Sequence, residues 1–550
     1  MMEAAGVTNA GSRSRRRWTR LIGTGMSLWR SRRRRLLSDR AYWATNAREI
    51  QIRQLRGLLA RAAYTELGRK HNFEALARRP DTELLAAYRE AIPNGDYEQW
   101  REDLARMREG GEPDILWPGI IRDWAQTSGT TGGEKYIPVS KQMMHSNFRA
   151  ALDIFAHAER FGVNMTDMFA GHLLMIGGST AVETNEHGIR TGDLSGLVTP
   201  MIRWPLTRVY TPGMDIALMS DWPAKIDAMA ERCMSQDIRM VNGMASWGLI
   251  LFRRVLELAR ERNSDSSWLR DVWPNLRLFV HGGVKYTPFE SRVSEAWSGD
   301  PEIDLPCRLE VYPASEGFIA MSDTKGDPGL RLLTDIGIYY EFVPLEEIGT
   351  PNARSFLCDE VERGQRYVVT MSTCAGLWRY TIGDVVEFDT IPPDGPPRLR
   401  IVGRHRHFVN AFGENLIVEE IENAVASAAK STQVTVGEFT AAPVYPNETR
   451  AGGLELAIEW EADASKVSSF RDAFDDALKQ QNVDYTTKRT SNLGMAAPTI
   501  TTLRPGAIYA WMESEGKLGG QHKAPRCANH REILDAILAV GGASDDLAND

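Results

Sequence analysis

Apolar residues recur at helical spacing from residue 41 to about 110, with Leu55, Leu58 and Leu59 on the repeat and few helix breakers before Pro80. A further helix is predicted after Ser140, a natural N-cap. In KQMMHSNFRAALDIFAHAERF the residues Met144, Phe148, Leu152 and Phe155 share one face, and the methionines read as core filler. Short apolar strands follow, each ending near glycine or small residues: HLLMIGGS (172–179), RMVNGMAS (239–246), LRLFVHGG (276–283) and CRLEVYPASEG (307–317). Helical stretches at 223–236 and 247–262 lie between them. This alternation predicts an α/β architecture with a mostly parallel sheet, whose ligands bind beyond the strand carboxyl ends.

From 329 to 402 the pattern turns to strands without long helices, in GLRLLTDIGIYYEFVP, QRYVVTMST, LWRYTIGDVVEFDT and RLRIVGR. An antiparallel or barrel-like sheet is predicted there, with IPPDGPP (391–397) as a turn. After Gly403-Arg404 a smaller α+β unit is expected, with helices at 418–430, 465–480 and 529–540 and strands at 432–441 and 453–460. The expected plan is a large α/β body with a barrel-like part over 41–402 and a small mobile α+β domain over 403–540, and no internal repeat is visible.

Residues 1–40 depart from the rest, with eleven arginines against two acids, Glu3 and Asp39. The apolar stretch Leu21 to Trp29 is short, broken by glycine and followed by more arginines, so a secretory signal is not expected. A solvated, disordered arm is the first expectation; an extension of the first helix and a weak contact with an anionic surface stay open.

Composition changes this picture little. The chain has 550 residues, 43% hydrophobic and 25% charged, as in an ordinary globular protein of more than one domain. A net charge of −8 argues against a nucleic-acid-binding body. No run of apolar residues is long enough to cross a membrane. Cys233, Cys307, Cys358, Cys374 and Cys527 are scattered, with no C-x-x-C spacing, so neither a disulfide framework nor a zinc site follows and a reducing cytoplasm is expected.

The densest chemistry lies in WAQTSGTTGGEKYIPVS. Gly129, Gly132 and Gly133 let the backbone approach phosphate oxygens closely, Thr127, Ser128, Thr130 and Thr131 add hydroxyl donors, and Lys135 adds a point charge. The order is not that of a Walker loop, and a Gly/Thr-rich surface turn is the plainer alternative. Tyr312-Pro313-Ala314-Ser315-Glu316 ends a strand, where an aromatic can stack on a base and a carboxylate can hold Mg²⁺ between phosphates; simple strand-end residues have the same look. Asp384, after Gly383 in WRYTIGD, can accept both ribose hydroxyls or sit in an ordinary turn. Gly403-Arg404 and Gly413-Glu414 suit an interdomain hinge or a hairpin followed by a helix. Lys523 lies in the Gly-rich GKLGGQHKAPRC, either delivered to a site by a loop or simply exposed. His281 in FVHGG reads as a satisfied polar residue near a sheet edge. No Ser-His-Asp constellation and no G-x-S-x-G appear.

Taken in order, T-S-G-T-T-G-x-x-K, Y-x-x-S-E, Y-x-x-G-D, G-R with G-E and a late glycine-loop lysine resemble the adenylate-forming superfamily of acyl and aryl ligases. LWRYTIGDVVEF, IYYEFVP (338–344) and QHKAPRC look like the auxin-responsive Gretchen Hagen family of acyl acid amido synthetases, over roughly residues 41 to 540. That resemblance implies an ATP- and Mg²⁺-dependent ligase joining a small carboxylic acid to an amino acid through an acyl-adenylate; an acyl- or aryl-CoA ligase with the same first half-reaction is the alternative. It places Ser128 to Gly133 and Lys135 around the phosphates and Tyr312 by the adenine. It puts Ala314 and Ser315 near the nucleotide, Glu316 on Mg²⁺, Asp384 on the ribose, Arg404 past the hinge and Lys523 on the adenylate. The arginine-rich start and the lack of a recognisable acyl-pocket signature depart from the family pattern.

Overall fold

The computed structural model describes residues 18–541 except 129–133, 178–181, 220, 263–265, 284–285, 351, 405–407, 410–415, 445–451, 483–484, 487–488, 490–494, 518–523 and 529. Its contacts divide the chain into two compact units, Met1–Ile382 with Glu387–Arg400, and Gly383–Val386 with Ile401–Asp550.

In the first unit β1 (Asp123–Ser128) and β2 (Glu134–Val139) form a hairpin, and β4 (Val182–Thr184) and β5 (Arg190–Gly192) extend it in the order β2-β1-β5-β4. The principal sheet has eleven strands. Its parallel half contains β3 (His172–Met175), β6 (Tyr210–Thr211), β7 (Ile238–Gly243), β8 (Leu278–Gly282) and β9 (Arg308–Ala314), in the order β6-β3-β7-β8-β9. The helices Trp222–Met234 and Ala245–Glu261 flank β7, one before and one after it, in the alternation that the sequence predicts. β10 (Gly317–Ser322) and β11 (Leu330–Leu332) turn the sheet antiparallel. It continues through β12 (Ile338–Pro344), β13 (Arg366–Thr373), β14 (Tyr380–Thr390) and β15 (Arg398–Arg404) in the order β12-β13-β14-β15-β11-β10-β9. The strands of 329–402 are thus antiparallel, as expected, and join the parallel strands in one sheet.

The helix after Ser140 runs Lys141–Arg160, and the Ser140 hydroxyl caps it by accepting from the Met143 amide at 3.0 Å. Its inner face coincides with the expected one only in part, sharing the buried Leu152. Met143, Ser146, Ala150, Asp153 and His157 point inward, while Phe148 is half exposed. The pattern misleads because three inward positions, Ser146, Asp153 and His157, are polar. Asp153 binds the guanidinium groups of Arg30 and Arg33, and Arg33 also donates to Asp335 at 2.6 Å.

Those arginines also correct the expectation of a disordered arm over residues 1–40. Its described part is helical over 18–29 and then Ser31–Ser38, held down by Arg30, Arg33 and Arg34 on Asp153, Asp335 and Glu159. Charge density alone reads as solvation; here the charges have buried acidic partners.

The second unit has a three-stranded sheet of β18 (Val436–Val444), β19 (Gly453–Trp460) and β20 (Thr499–Leu503), after the short β16 (Phe408–Val409) and β17 (Leu416–Ile417). Helices Val418–Thr432 and Val467–Gln481 pack around Ile421, Phe439, Leu456, Phe470 and Phe474. A second cluster joins Leu503 of β20 to Trp511 and Ile537 from helices Ala507–Ser514 and Glu532–Gly541. This is the smaller α+β unit of the expected fold class.

Candidate active site

The carboxyl ends of β3, β7, β8 and β9 come level through a register that pairs Met175 with Asn242, Gly243 with His281 and Gly282 with Val311. Two strand-end glycines permit this closeness. A Cβ on Gly243 would lie 2.8 Å from the Ile176 Cβ, and one on Gly282 would lie 2.1 Å from the Val311 carbonyl oxygen.

At the end of β9 the partners Ala314 and Gly317 enclose only Ser315 and Glu316, so these two residues form the whole turn between β9 and β10. Gly317 has φ +154°, and a Cβ there would meet the Ile338 Cδ1 at 2.5 Å. The turn is therefore pressed against β12 by a position only glycine fills easily. Tyr312 and Ser315 are buried.

Tyr380, the first residue of β14, hydrogen-bonds the Glu316 carboxylate through its hydroxyl. Burial, the Glu316 charge, then Tyr97 and Asp96 hold the Tyr380 hydroxyl well above its usual pKa, so it remains a donor. Tyr380 is the tyrosine of the Y-x-x-G-D motif, in which Asp384 is the residue whose chemistry stands out from sequence alone.

The glycine-rich run sits at the tip of the β1–β2 hairpin. Thr127 pairs with Lys135 and Ser128 with Glu134, while Gly129, Thr130, Thr131, Gly132 and Gly133 lie outside the described residues. Tyr97, buried at the start of helix Tyr97–Arg108, steadies this hairpin. Its hydroxyl accepts from the Tyr136 amide at 3.1 Å, and the Lys135 Nζ lies 5.9 Å from the centre of its ring. Two residues earlier, Gly95 bridges to the Tyr380 backbone. It donates to the Arg379 carbonyl at 3.2 Å and accepts from the Thr381 amide at 2.8 Å. One short segment, Gly95–Tyr97, thus connects the Lys135 hairpin to the tyrosine that holds Glu316. Nothing in the sequence marks Tyr97, because its role arises only from that bridge.

Asp384 is a buried residue of β14, preceded by Gly383 at φ +91°. Arg404 ends β15, and its side chain, like Lys523 and the Gly413-Glu414 pair, is outside the described residues. The segment after Lys523 is anchored within the second unit. Cys527 bridges to Ala441 of β18, with Ala441 N–H donating to the Arg526 carbonyl at 2.9 Å and Ala528 N–H to the Ala441 carbonyl at 3.0 Å. The Arg526 guanidinium meets Glu438 at 2.5 Å and Glu422 at 3.6 Å.

His281 differs from its expected place. It lies in β8, between β7 and β9, stacked on Tyr286 at 4.4 Å, and its Nδ1 has no hydrogen-bond partner. Burial, then the Arg308 charge, pulls its pKa to about 3, so the ring is neutral. Among the described residues no group of three or more His, Cys, Asp or Glu side chains is arranged to hold a metal ion.

Three family models cover this architecture. The GH3 family N-terminal domain matches residues 41–211, the GH3 family central domain 331–404 and the GH3 family C-terminal domain 419–532. The chain belongs to the GH3 family. Within it, the chain is 22% identical to the indole-3-acetic acid-amido synthetase GH3.6 of Arabidopsis thaliana, over 90% of both chains. It is 25% identical to the jasmonoyl–L-amino acid synthetase JAR6 of Nicotiana attenuata, over 62% of this chain and 53% of that one. A solved GH3.15 acyl acid amido synthetase superposes with a TM-score of 0.73 at 17% identity, covering 92% of this chain and 96% of the other. A 2-hydroxyisobutyryl-CoA ligase carries the same fold, with a TM-score of 0.57 at 16% identity over 91% and 93% of the two chains. The α/β body with a smaller second unit is therefore the GH3 arrangement, and its central-domain match spans both IYYEFVP and LWRYTIGD.

Proposed function

We propose that this GH3 protein is an AMP-forming acid–amino acid ligase. The observation that carries the reading is the presence of all three GH3 domains on a chain whose phosphate-loop hairpin and Ser315-Glu316 turn are linked through Tyr97 and Tyr380. In the first half-reaction a carboxylate oxygen of the acid attacks the α-phosphorus of ATP, and pyrophosphate leaves. In the second, an amino-acid amine attacks the acyl carbon and loses a proton, and the bond to AMP breaks.

The hairpin residues Thr127 and Ser128 and the tip Gly129–Gly133 bind the phosphates, with Lys135 adding charge. Tyr312 and Ala314 line the adenine side, Ser315 the phosphate side, Asp384 takes the ribose hydroxyls, and Arg404 lies at the proposed hinge. Lys523 contacts the adenylate, where its charge offsets that of the transferring phosphoryl group. Glu316 is the residue to hold Mg²⁺. One carboxylate on a tight turn fits that ion, which takes most of its oxygens from water and substrate phosphates, and the ion would supply further charge neutralisation there. Five buried free thiols suit a reducing, cytoplasmic setting.

ATP–pyrophosphate exchange over a panel of aryl, indolic and fatty acids tests the first half-reaction, and an amino-acid panel with CoA as competitor tests the second. Acid-dependent exchange, with discharge of acyl-AMP by amino acids and not by CoA, is expected. Discharge by CoA alone overturns amide formation in favour of a CoA ligase, and no exchange with any acid overturns adenylation.

A further inference from the structure

The helix over 18–29 has two unlike faces. Inward, Gly23 lies so close to Met165 that a Cβ would sit 2.3 Å from its carbonyl oxygen. Thr24 hydrogen-bonds Thr166 at 2.9 Å, and Ser27 hydrogen-bonds Glu159. Backbone bonds from Arg30 N–H to the Met26 carbonyl and from Arg34 N–H to the Arg30 carbonyl, at 2.9 and 2.8 Å, carry the same course into Ser31–Ser38. There Arg30, Arg33 and Arg34 spend their charges on Asp153, Asp335 and Glu159. The inward face thus fixes which side chains look out.

Outward, Trp18, Leu21, Leu28 and Trp29 are 69%, 60%, 71% and 67% exposed. Their spacing, with Gly25 and Arg32 between and beyond, places them on one stripe about 100° wide. Arg32 is exposed on that stripe and Arg35 beside it, and Arg20 is exposed on the flank of the same helix. Large apolar side chains arranged in this way are costly to leave in water without a purpose.

We propose that this stripe docks the protein on an anionic lipid bilayer, the helix lying in the plane of the surface. Two features choose that occupant. Tryptophan and leucine on one helix face, rimmed by arginine, match the boundary where acyl chains meet phosphate headgroups. The sign of charge also matches, because residues 1–40 carry eleven arginines and two acids on a chain whose net charge is −8, so attraction to anionic lipid is confined to this end. A second copy is a poorer occupant, since two-fold pairing brings the arginine-bearing helices of both copies together. Nucleic acid would use the arginines and leave Leu21 and Leu28 in water.

The test is sedimentation of the full chain with phosphatidylcholine vesicles and with vesicles containing phosphatidylserine, alongside solution mass by light scattering. Binding to the anionic vesicles alone, weakened by salt, is expected. Replacing Trp18, Leu28 and Trp29 by serine should reduce it by more than tenfold, and each of Arg20→Gln and Arg32→Gln by roughly fivefold, with unchanged helical circular dichroism and melting temperature. Equal sedimentation with both vesicle types, undiminished binding by the serine variant, or a dimer that this variant dissolves in a protein that ignores vesicles overturns the proposal.

Discussion

The Arg379 Nε donates to the Glu341 carboxylate at 2.7 Å, and both side chains are buried. This pair joins LWRYTIGD to IYYEFVP, the two segments whose resemblance narrows the family. Arg379, held at φ +43°, also donates to the Ile92 carbonyl at 2.8 Å and the Ser355 hydroxyl at 2.7 Å, and Glu341 accepts from Arg89 Nε at 2.8 Å. The family-like residues at these two positions therefore build the floor from which Tyr380 reaches Glu316.

Removing one partner of that pair strands the other charge. Glu341→Gln should lower unfolding free energy by about 3–5 kcal/mol, and Arg379→Lys, which cannot reproduce the forked contacts, by a similar amount. Denaturant unfolding checks this. Replacing both residues by methionine should cost less than the two single losses added together, because Arg379 is no longer stranded, although Arg89 still loses its carboxylate. A loss below about 1 kcal/mol for either single variant would place the pair among surface contacts.

Tyr380 acts through Glu316. Tyr380→Phe removes one hydrogen bond to a carboxylate, about 1.4 kcal/mol, and should slow acyl-AMP formation about tenfold. As a positioning effect it should also raise the Mg²⁺ concentration needed for half-maximal exchange while leaving the acid's KM nearly unchanged. An unaltered Mg²⁺ requirement with a lower rate would mean that the tyrosine supports the fold alone.

Arg526 anchors the chain three residues after Lys523. Arg526→Met leaves Glu438 and Glu422 facing each other without their cation. Acyl-AMP formation should fall at least tenfold while binding of ATP, measured by calorimetry, changes little. Equal loss of both would show that the second unit had unfolded, which its separate thermal transition would report.

The sequence made the site legible where chemistry is local. The hairpin with Lys135, the turn with Ser315-Glu316 and the strand with Asp384 were each visible as runs of fewer than ten residues. Unseen were the links between runs. Tyr97 looks like any helix residue until Gly95 pairs with Tyr380, and Asp153 looks like a solvent-facing acid until Arg30 and Arg33 arrive. Such pairings join residues far apart in the chain, and neither periodicity nor composition encodes them. The alternation of strands and helices located β3, β7, β8 and β9, of which β8 and most of β7 are buried on both faces and read as short apolar runs, while the two-residue β6 is too short to show.

Asp475 makes the second unit sensitive to acid. It accepts from Arg489 at 2.8 and 2.7 Å and from the Tyr485 hydroxyl at 2.7 Å, and its carboxylate meets Lys479 at 2.8 Å. Burial alone would raise its pKa, but these partners outweigh that and hold it at about 2. A depressed carboxylate stabilises the fold above its unfolded value, about 3.9, and the contribution disappears as pH falls towards 2. Unfolding of the second unit should therefore become easier between about pH 4 and pH 2. In Asp475→Asn that part of the pH dependence should vanish and the stability at pH 7 should be about 3 kcal/mol lower. An identical acid profile for the variant would assign the transition to other carboxylates.

Gly317 sets the position of the Ser315-Glu316 turn, and two costs of replacing it can be separated. Gly317→Ala adds a Cβ at 2.5 Å from the Ile338 Cδ1, and it also forces alanine to φ +154°. Overpacking of this kind costs about 1–3 kcal/mol. Ile338 is fully buried, so its end cannot simply swing into solvent. Pairing the change with Ile338→Val removes the clashing methyl and should recover the steric share but not the backbone share. Acyl-AMP formation should follow the same order, lowest in the single variant and partly restored in the double. Full recovery in the double variant would mean that backbone conformation at 317 is unimportant. No recovery would mean that the turn is held by φ alone, with Ile338 a bystander.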